Sequence, residues 1–161
     1  MNFLLNVVFA CFLVGDVFGC LKIQGDTCEC LDFTSFRYYY DGDLENMLYH
    51  YQGGCIRSAT CPTLPRLYTY WTETEIPNPG DVNENYGNYF ITVSYGKPEG
   101  EPIEMLSYFG IICENQTWYI TKYPHGVDYV GPNGGYTVRI GNGGEFNGYK
   151  SKVYSFYCTD W

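Results

Sequence analysis

Two short stretches, far apart in the chain, constrain the fold most. Residues 113–123 read Cys-Glu-Asn-Gln-Thr-Trp-Tyr-Ile-Thr-Lys-Tyr, and residues 153–158 read Val-Tyr-Ser-Phe-Tyr-Cys. Both are rich in aromatic and β-branched residues and read as buried strands. Each carries one cysteine. They point to two strands of one sheet, tied by a Cys113–Cys158 disulfide.

Composition supports β structure along the rest of the chain. Aromatic residues make up 19% of the 161, with 18 Tyr and 10 Phe, and there are 19 Gly. The aromatics suit pleated strands, and Gly, Asn, Asp and Pro suit the turns between them. One domain of this length buries a real core, so disulfides reinforce it rather than replace it. The formal net charge is −9, and the nine basic residues are scattered singly, from Lys22 to Lys152. No basic patch forms in sequence, which argues against nucleic acid and against polybasic membrane anchoring. The acidic excess reads as solubility.

Residues 3–14 are almost wholly apolar, broken by Asn6. Such a run falls short of the ~20 residues that span a bilayer and fits the apolar region of a secretory signal. No Lys or Arg precedes it. Val17-Phe18-Gly19 favours cleavage before Cys20, giving a signal peptide at 1–19 and a single secreted cysteine-rich domain at 20–161. An uncleaved anchor is the competing reading. No second apolar run exists, so no membrane association is expected after cleavage. Of the eight Cys, Cys11 lies in the leader. An odd number then remains, which means a spare thiol, an intermolecular bridge or a shifted cleavage. A lipid on Cys20 is a further reading, against which the bulky Phe18 counts. Export explains this cysteine usage better than a cytosolic setting does.

Cys28 and Cys30 stand one residue apart, so on a strand they face opposite ways and staple different neighbours. Zinc sites use wider cysteine spacing and a second pair or His, so no metal is expected here. Asp41, Asp43 and Glu45 stop short of a calcium loop and read as a solvated turn. Residues 44–52 fit two elements. Leu44, Met47, Leu48 and Tyr51 have helical spacing, whereas 47–52 also fits a strand turning at Gly53-Gly54 into 55–61. Residues 67–75, 89–95, 105–113 and 117–123 read as strands, with polar loops at 76–88 and 97–102. Asn115-Gln116-Thr117 is an N-glycosylation acceptor in the turn between two of them. The Gly-rich turns at 132–135 and 141–144 bracket a strand at 136–140, which is meander spacing. They lack the following helix and the Lys of a phosphate loop.

No catalytic constellation stands out. His50 and His125 are the only histidines, and a triad or dyad would have to use one of them. No nucleophile elbow and no zinc-protease helix occurs. Acid pairs that could cleave a glycosidic bond are plentiful, as in any acidic chain. No enzyme, cofactor or metal is expected. Tyr and Trp can fill a core or, if exposed, stack on sugars and anchor proteins. Trp71 and Trp118 fit the core.

Gly54-Cys55-x5-Cys61, preceded by Cys28-x-Cys30 and followed by Cys113-x4-Trp118 and Val153-x4-Cys158, resembles the nematode secreted six-cysteine domains of unknown function. The resemblance spans roughly residues 28–158, with the Pro- and Asn-rich middle unmatched. It implies secretion, disulfides and β structure, transfers no catalytic residue, and favours a strand at 47–52. The expected protein is an all-β, antiparallel, disulfide-stabilised sandwich or meander with little helix outside the leader. Besides Cys113–Cys158, Cys28 and Cys30 are expected to pair with Cys55 and Cys61 in some order, among 15 possible pairings of six cysteines. The expected role is a secreted, extracellular, non-catalytic binding or structural domain, its partner an extracellular protein or glycan. A carbohydrate-binding or carbohydrate-processing protein is the alternative.

Overall fold

The computed structural model describes residues 28–38, 47–52, 55–82, 89–92, 101–132 and 136–159. The leader and Cys20 lie outside them. The fold is all-β, every pair of named strands is antiparallel, and the strands form three sheets. In the first, β1 (Leu48–Gln52) and β2 (Cys55–Cys61) form a hairpin, and β5 (Ile103–Glu104) pairs with the far side of β2. Residues 48–52 are thus a strand rather than a helix.

The largest sheet has the order β11-β3-β4-β8-β9, built from β3 (Leu64–Tyr70), β4 (Tyr89–Thr92), β8 (Val127–Val130), β9 (Thr137–Ile140) and β11 (Ser155–Thr159). Alternate residues of a strand face opposite sides. One register row runs Phe156, Leu67, Thr92, Val127, Ile140. Phe156, Leu67 and Val127 of this row are fully buried and face the core. In the next register row, Ser155, Tyr68, Asp128 and Arg139 face outward. The third sheet, of order β10-β7-β6, contains β6 (Ile112–Glu114), β7 (Thr117–Ile120) and β10 (Ser151–Lys152).

Phe33 joins two of these sheets. It lies in a 3-10 turn, Phe33–Phe36, capped by Asp32, whose carboxylate accepts from the Thr34 N–H. Its ring stacks on Phe156 at 4.6 Å and meets Trp118 edge-on at 5.4 Å. A chain of hydroxyls runs between β10 and its surroundings. Tyr123 Oη lies 3.1 Å from the Ile120 carbonyl and 2.5 Å from Ser151 Oγ, which lies 2.6 Å from Thr74 Oγ1. A phenol has one proton and a carbonyl can only accept. The Ser151 hydroxyl therefore donates to Tyr123, satisfying buried groups that would otherwise cost stability. At Gly126 φ is +73°, and an added Cβ would lie 2.0 Å from the Ile140 carbonyl oxygen. Only glycine fits that close approach.

Several expectations need correction. Cys113 and Cys158 do not pair: Cys113 lies opposite Trp118 in β6 and Cys158 opposite Pro65 in β11, and each is bonded to another cysteine. Cys30 bonds Cys113, with Cα atoms 6.0 Å apart, and Cys61 bonds Cys158, at 5.8 Å. Each pairing has a local cause. The Leu31 carbonyl accepts from Trp118 Nε1 at 2.8 Å, which holds Cys30 under the strand pair that carries Cys113. Cys61 ends β2, and after Pro62-Thr63 the chain enters β3, in which Pro65 lies opposite Cys158. Cys28 therefore pairs with neither Cys55 nor Cys61: it is a free, half-buried thiol. The side chain of Cys55 lies outside the described residues.

Residues 105–113 are not one strand. Glu104 caps a single helical turn, α1 (Met105–Tyr108), and β6 begins only at Ile112. The strand expected at 67–75 ends at Tyr70, where Trp71–Glu73 forms a 3-10 turn. The strand expected at 136–140 is present as β9, which pairs with β8. After Gly141 the chain passes through turns at 142–148 and returns to β7 as β10.

Candidate functional site

The outward face of the largest sheet gathers tyrosines. β3 alternates buried and half-buried residues, with Pro65, Leu67 and Thr69 inward and Arg66, Tyr68 and Tyr70 outward. On the neighbouring edge, Tyr154 and Tyr157 come alongside. Tyr68 and Tyr157 stack at 5.5 Å with an interplanar angle of 24°, their hydroxyls 2.9 Å apart. Tyr70 and Tyr154 meet edge-to-face at 4.5 Å. The Tyr154 N–H donates to the Tyr68 carbonyl at 2.9 Å, which fixes the approach of that edge. Tyr154 is 53% exposed. Farther across the same face, Arg139 makes a two-pronged ion pair with Asp128, at 2.7 and 2.9 Å. The face therefore combines rings with two side-by-side charges whose geometry is fixed.

Tyrosine carries a large apolar ring and a polar tip at low conformational cost, so ordered tyrosines suit recognition. Trp71 and Trp118 are buried and add nothing to such a surface. Trp71 meets Tyr129 edge-on at 5.7 Å, and the Tyr129 hydroxyl donates to Asp81 at 2.7 Å. Enclosure first, then the hydrogen bond and charge of Asp81, push the Tyr129 phenol up to about 12. It stays protonated as a donor at neutral pH.

Among the described residues, most acidic side chains are engaged. Lys152 pairs with Glu73 at 2.6 Å, and Lys150 pairs with Glu114. Burial alone would raise the Glu104 carboxyl. Hydrogen bonds from Ser107 and from the N–H groups of Ala59 and Leu106 outweigh it and hold the group below its ordinary value. His50 sits on the exposed β1 strand and His125 in the turn before β8. Among the described residues, no group of three or more His, Cys, Asp and Glu is placed to hold a metal ion. No described helix is long and apolar enough to cross a membrane.

Asn115 and Gln116 form the two-residue turn of the β6–β7 hairpin, with φ of 50° and 64°. Two successive positive φ values are the mark of a type I′ turn. Asn115 is exposed at its tip. The acceptor triplet is thus on a turn, where the sequence put it. The tyrosine face was harder to find, because its signal, alternation in β3 and at 154–157, reads equally well as core filling.

Fold and site together define a disulfide-stabilised, all-β domain of unknown function. Residues 26–158 match the family described as TRA-1 regulated protein R03H10.4, and the chain belongs to that family. Membership is consistent with a nematode domain of unknown function and is silent on the six-cysteine pattern. No curated protein and no solved structure matches the chain.

Proposed function

We propose that the protein is a secreted, non-catalytic domain that binds an extracellular partner through its tyrosine face. The observation that carries this reading is the paired tyrosine set, Tyr68 with Tyr157 and Tyr70 with Tyr154, on one side of a five-stranded sheet. Tyrosines held by their neighbours lose little freedom on binding, which is why they recur at binding hot spots. The two disulfides are compatible with export. The family description speaks of how a member is regulated and names no activity.

A second reading is carbohydrate binding, favoured by the solvent-open ring of Tyr154 beside Tyr70. Sugar processing is a weaker form of it. That chemistry needs a free carboxyl pair flanking the bond, and Glu73, Glu114 and Asp128 are each paired with a cation.

The test compares the wild-type chain with the Tyr70→Ser/Tyr154→Ser double variant, both produced through a secretory route. Retention on extracellular matrix and on a panel of immobilised polysaccharides is measured, with circular dichroism as the folding control. Retention of the wild type that falls at least tenfold in the folded variant, a loss of about 1.4 kcal/mol or more, supports the reading. Equal retention of the two folded proteins sinks it. A polysaccharide-specific loss selects the carbohydrate reading.

A further inference from the structure

The sequence holds Asn-Gly pairs at 133–134, 142–143 and 147–148, and the first lies outside the described residues. An asparagine followed by glycine is chemically labile. The glycine nitrogen is held near the side-chain carbonyl carbon, a five-membered ring can close between them, and no Cβ on the glycine stands in the way. The other two pairs share one corner, the turns at 142–148 between β9 and β10. Their surroundings are opposite.

At the second pair both reacting groups are tied down. Asn147 Oδ1 accepts from the Tyr123 N–H at 2.7 Å, and the Gly148 N–H donates to the Thr121 carbonyl at 2.8 Å. These bonds must open before the ring can close. At the first pair the amide is open. Asn142 is exposed, and among the described residues its side chain makes no hydrogen bond. The Gly143 N–H donates to Glu145 Oε2 at 2.7 Å. A Cβ at position 143 would stand 3.2 Å from Glu145 Oε1, so the missing side chain gives the carboxylate room. A carboxylate this close to the nitrogen that must lose its proton is placed as a general base.

We infer that Asn142 is a self-modifying site, which deamidates with Glu145 as the base, while Asn147 in the same corner is protected. The Gly143 nitrogen gives its proton to Glu145 and bonds to Asn142 Cγ. The Cγ–Nδ2 bond breaks, and ammonia leaves with the proton returned by Glu145. Water then opens the cyclic imide at either carbonyl, leaving aspartate or isoaspartate. The sum is water in and ammonia out, so the reaction does not depend on export. Either product adds a negative charge near Glu145. Isoaspartate also adds a methylene to the main chain, inside the turn that the Gly144 N–H closes on the Gly141 carbonyl at 3.2 Å.

The test incubates the purified full chain at neutral pH and physiological temperature. Conversion at each asparagine is followed by mass, with the tryptic peptide 140–150 fragmented to place the change. In the folded protein Asn142 should convert about tenfold faster than Asn147, the scale of the hydrogen bonds that Asn147 must first break. In the reduced chain in urea the two rates should converge. Glu145→Gln keeps an oxygen that can accept the Gly143 N–H but is a far weaker base. It should slow Asn142 about tenfold, less than an enclosed base would, because Glu145 is exposed. Glu145→Asp, which keeps the charge but ends one methylene short, should slow it too. Circular dichroism checks the fold of both variants. Equal rates at the two asparagines of the folded protein overturn the selection of Asn142. Conversion in folded Glu145→Gln and Glu145→Asp that is as fast as in the wild type, or faster, overturns the base. Asn142 that stays intact in the folded protein while the unfolded chain converts overturns the site itself.

Discussion

Gln116 is a residue held where its type fits poorly. Its φ is 64°, and a side chain with a Cβ costs roughly 1–3 kcal/mol in that region. Asn115, at φ 50°, tolerates the left-handed region better, because a short amide can hydrogen-bond locally. Gln116→Gly removes the strain, at a cost of roughly 0.5–1 kcal/mol in unfolded-chain entropy. The net expectation is a gain of about 1 kcal/mol, read as a higher denaturant midpoint with an unchanged slope. The acceptor triplet survives this change, so stability and modification can be measured separately. A lower midpoint would mean that Gln116 makes a compensating contact. At Tyr129 the expectation concerns ionisation. Replacing Asp81 by Asn removes the neighbouring negative charge, so ultraviolet titration should show the Tyr129 phenol ionising at lower pH than its present value of about 12.

Glu104 shows how one side chain decides an element. Its two carboxylate oxygens accept from the N–H groups of Leu106 and Ser107, which starts the helical turn Met105–Tyr108. One of them also accepts from Ala59 N–H at 3.0 Å, which ties that turn to β2. Glu104→Gln puts an amide donor against one of these donors, and a loss of about 2 kcal/mol in folding stability is expected by chemical denaturation. Acid acts in the same direction. The carboxyl is held below its ordinary value of 4.5, so its stabilisation is present above that pH. It is lost as pH falls through the lower folded value. The variant should therefore lose less stability in acid than the wild type. This turn was illegible in the chain. Residues 105–113 form an apolar run that fits a strand equally well, and nothing local announces that Ala59 will supply a third donor. The turn at Asn115 was legible from its acceptor triplet. The β1–β2 hairpin was not settled locally, because the helical spacing of 44–51 and the stop at Gly53-Gly54 fit a helix as well, and only the resemblance favoured the strand. The cysteine partners were not legible, because they depend on where Trp118 and Pro65 fall after the sheets assemble.

The two bridges span 83 and 97 residues of sequence. By the chain-entropy estimate each stabilises the fold by about 4.5 kcal/mol, through the conformations it removes from the unfolded chain. Paired Ser substitution at Cys61 and Cys158 should therefore cost several times more than a surface change, and mass mapping without reduction should find Cys30 linked to Cys113. A linked Cys113–Cys158 peptide would overturn this arrangement. The order Cys30, Cys61, Cys113, Cys158 means that the two closed loops interlock along the sequence. A protease that cuts once anywhere between Cys30 and Cys158 thus releases no fragment. Cuts between Cys61 and Cys113, a stretch that includes the acidic Pro- and Gly-rich segments, leave two pieces held by both bridges. In a protease-rich environment the molecule would age into a nicked two-chain form, visible as separate bands only after reduction.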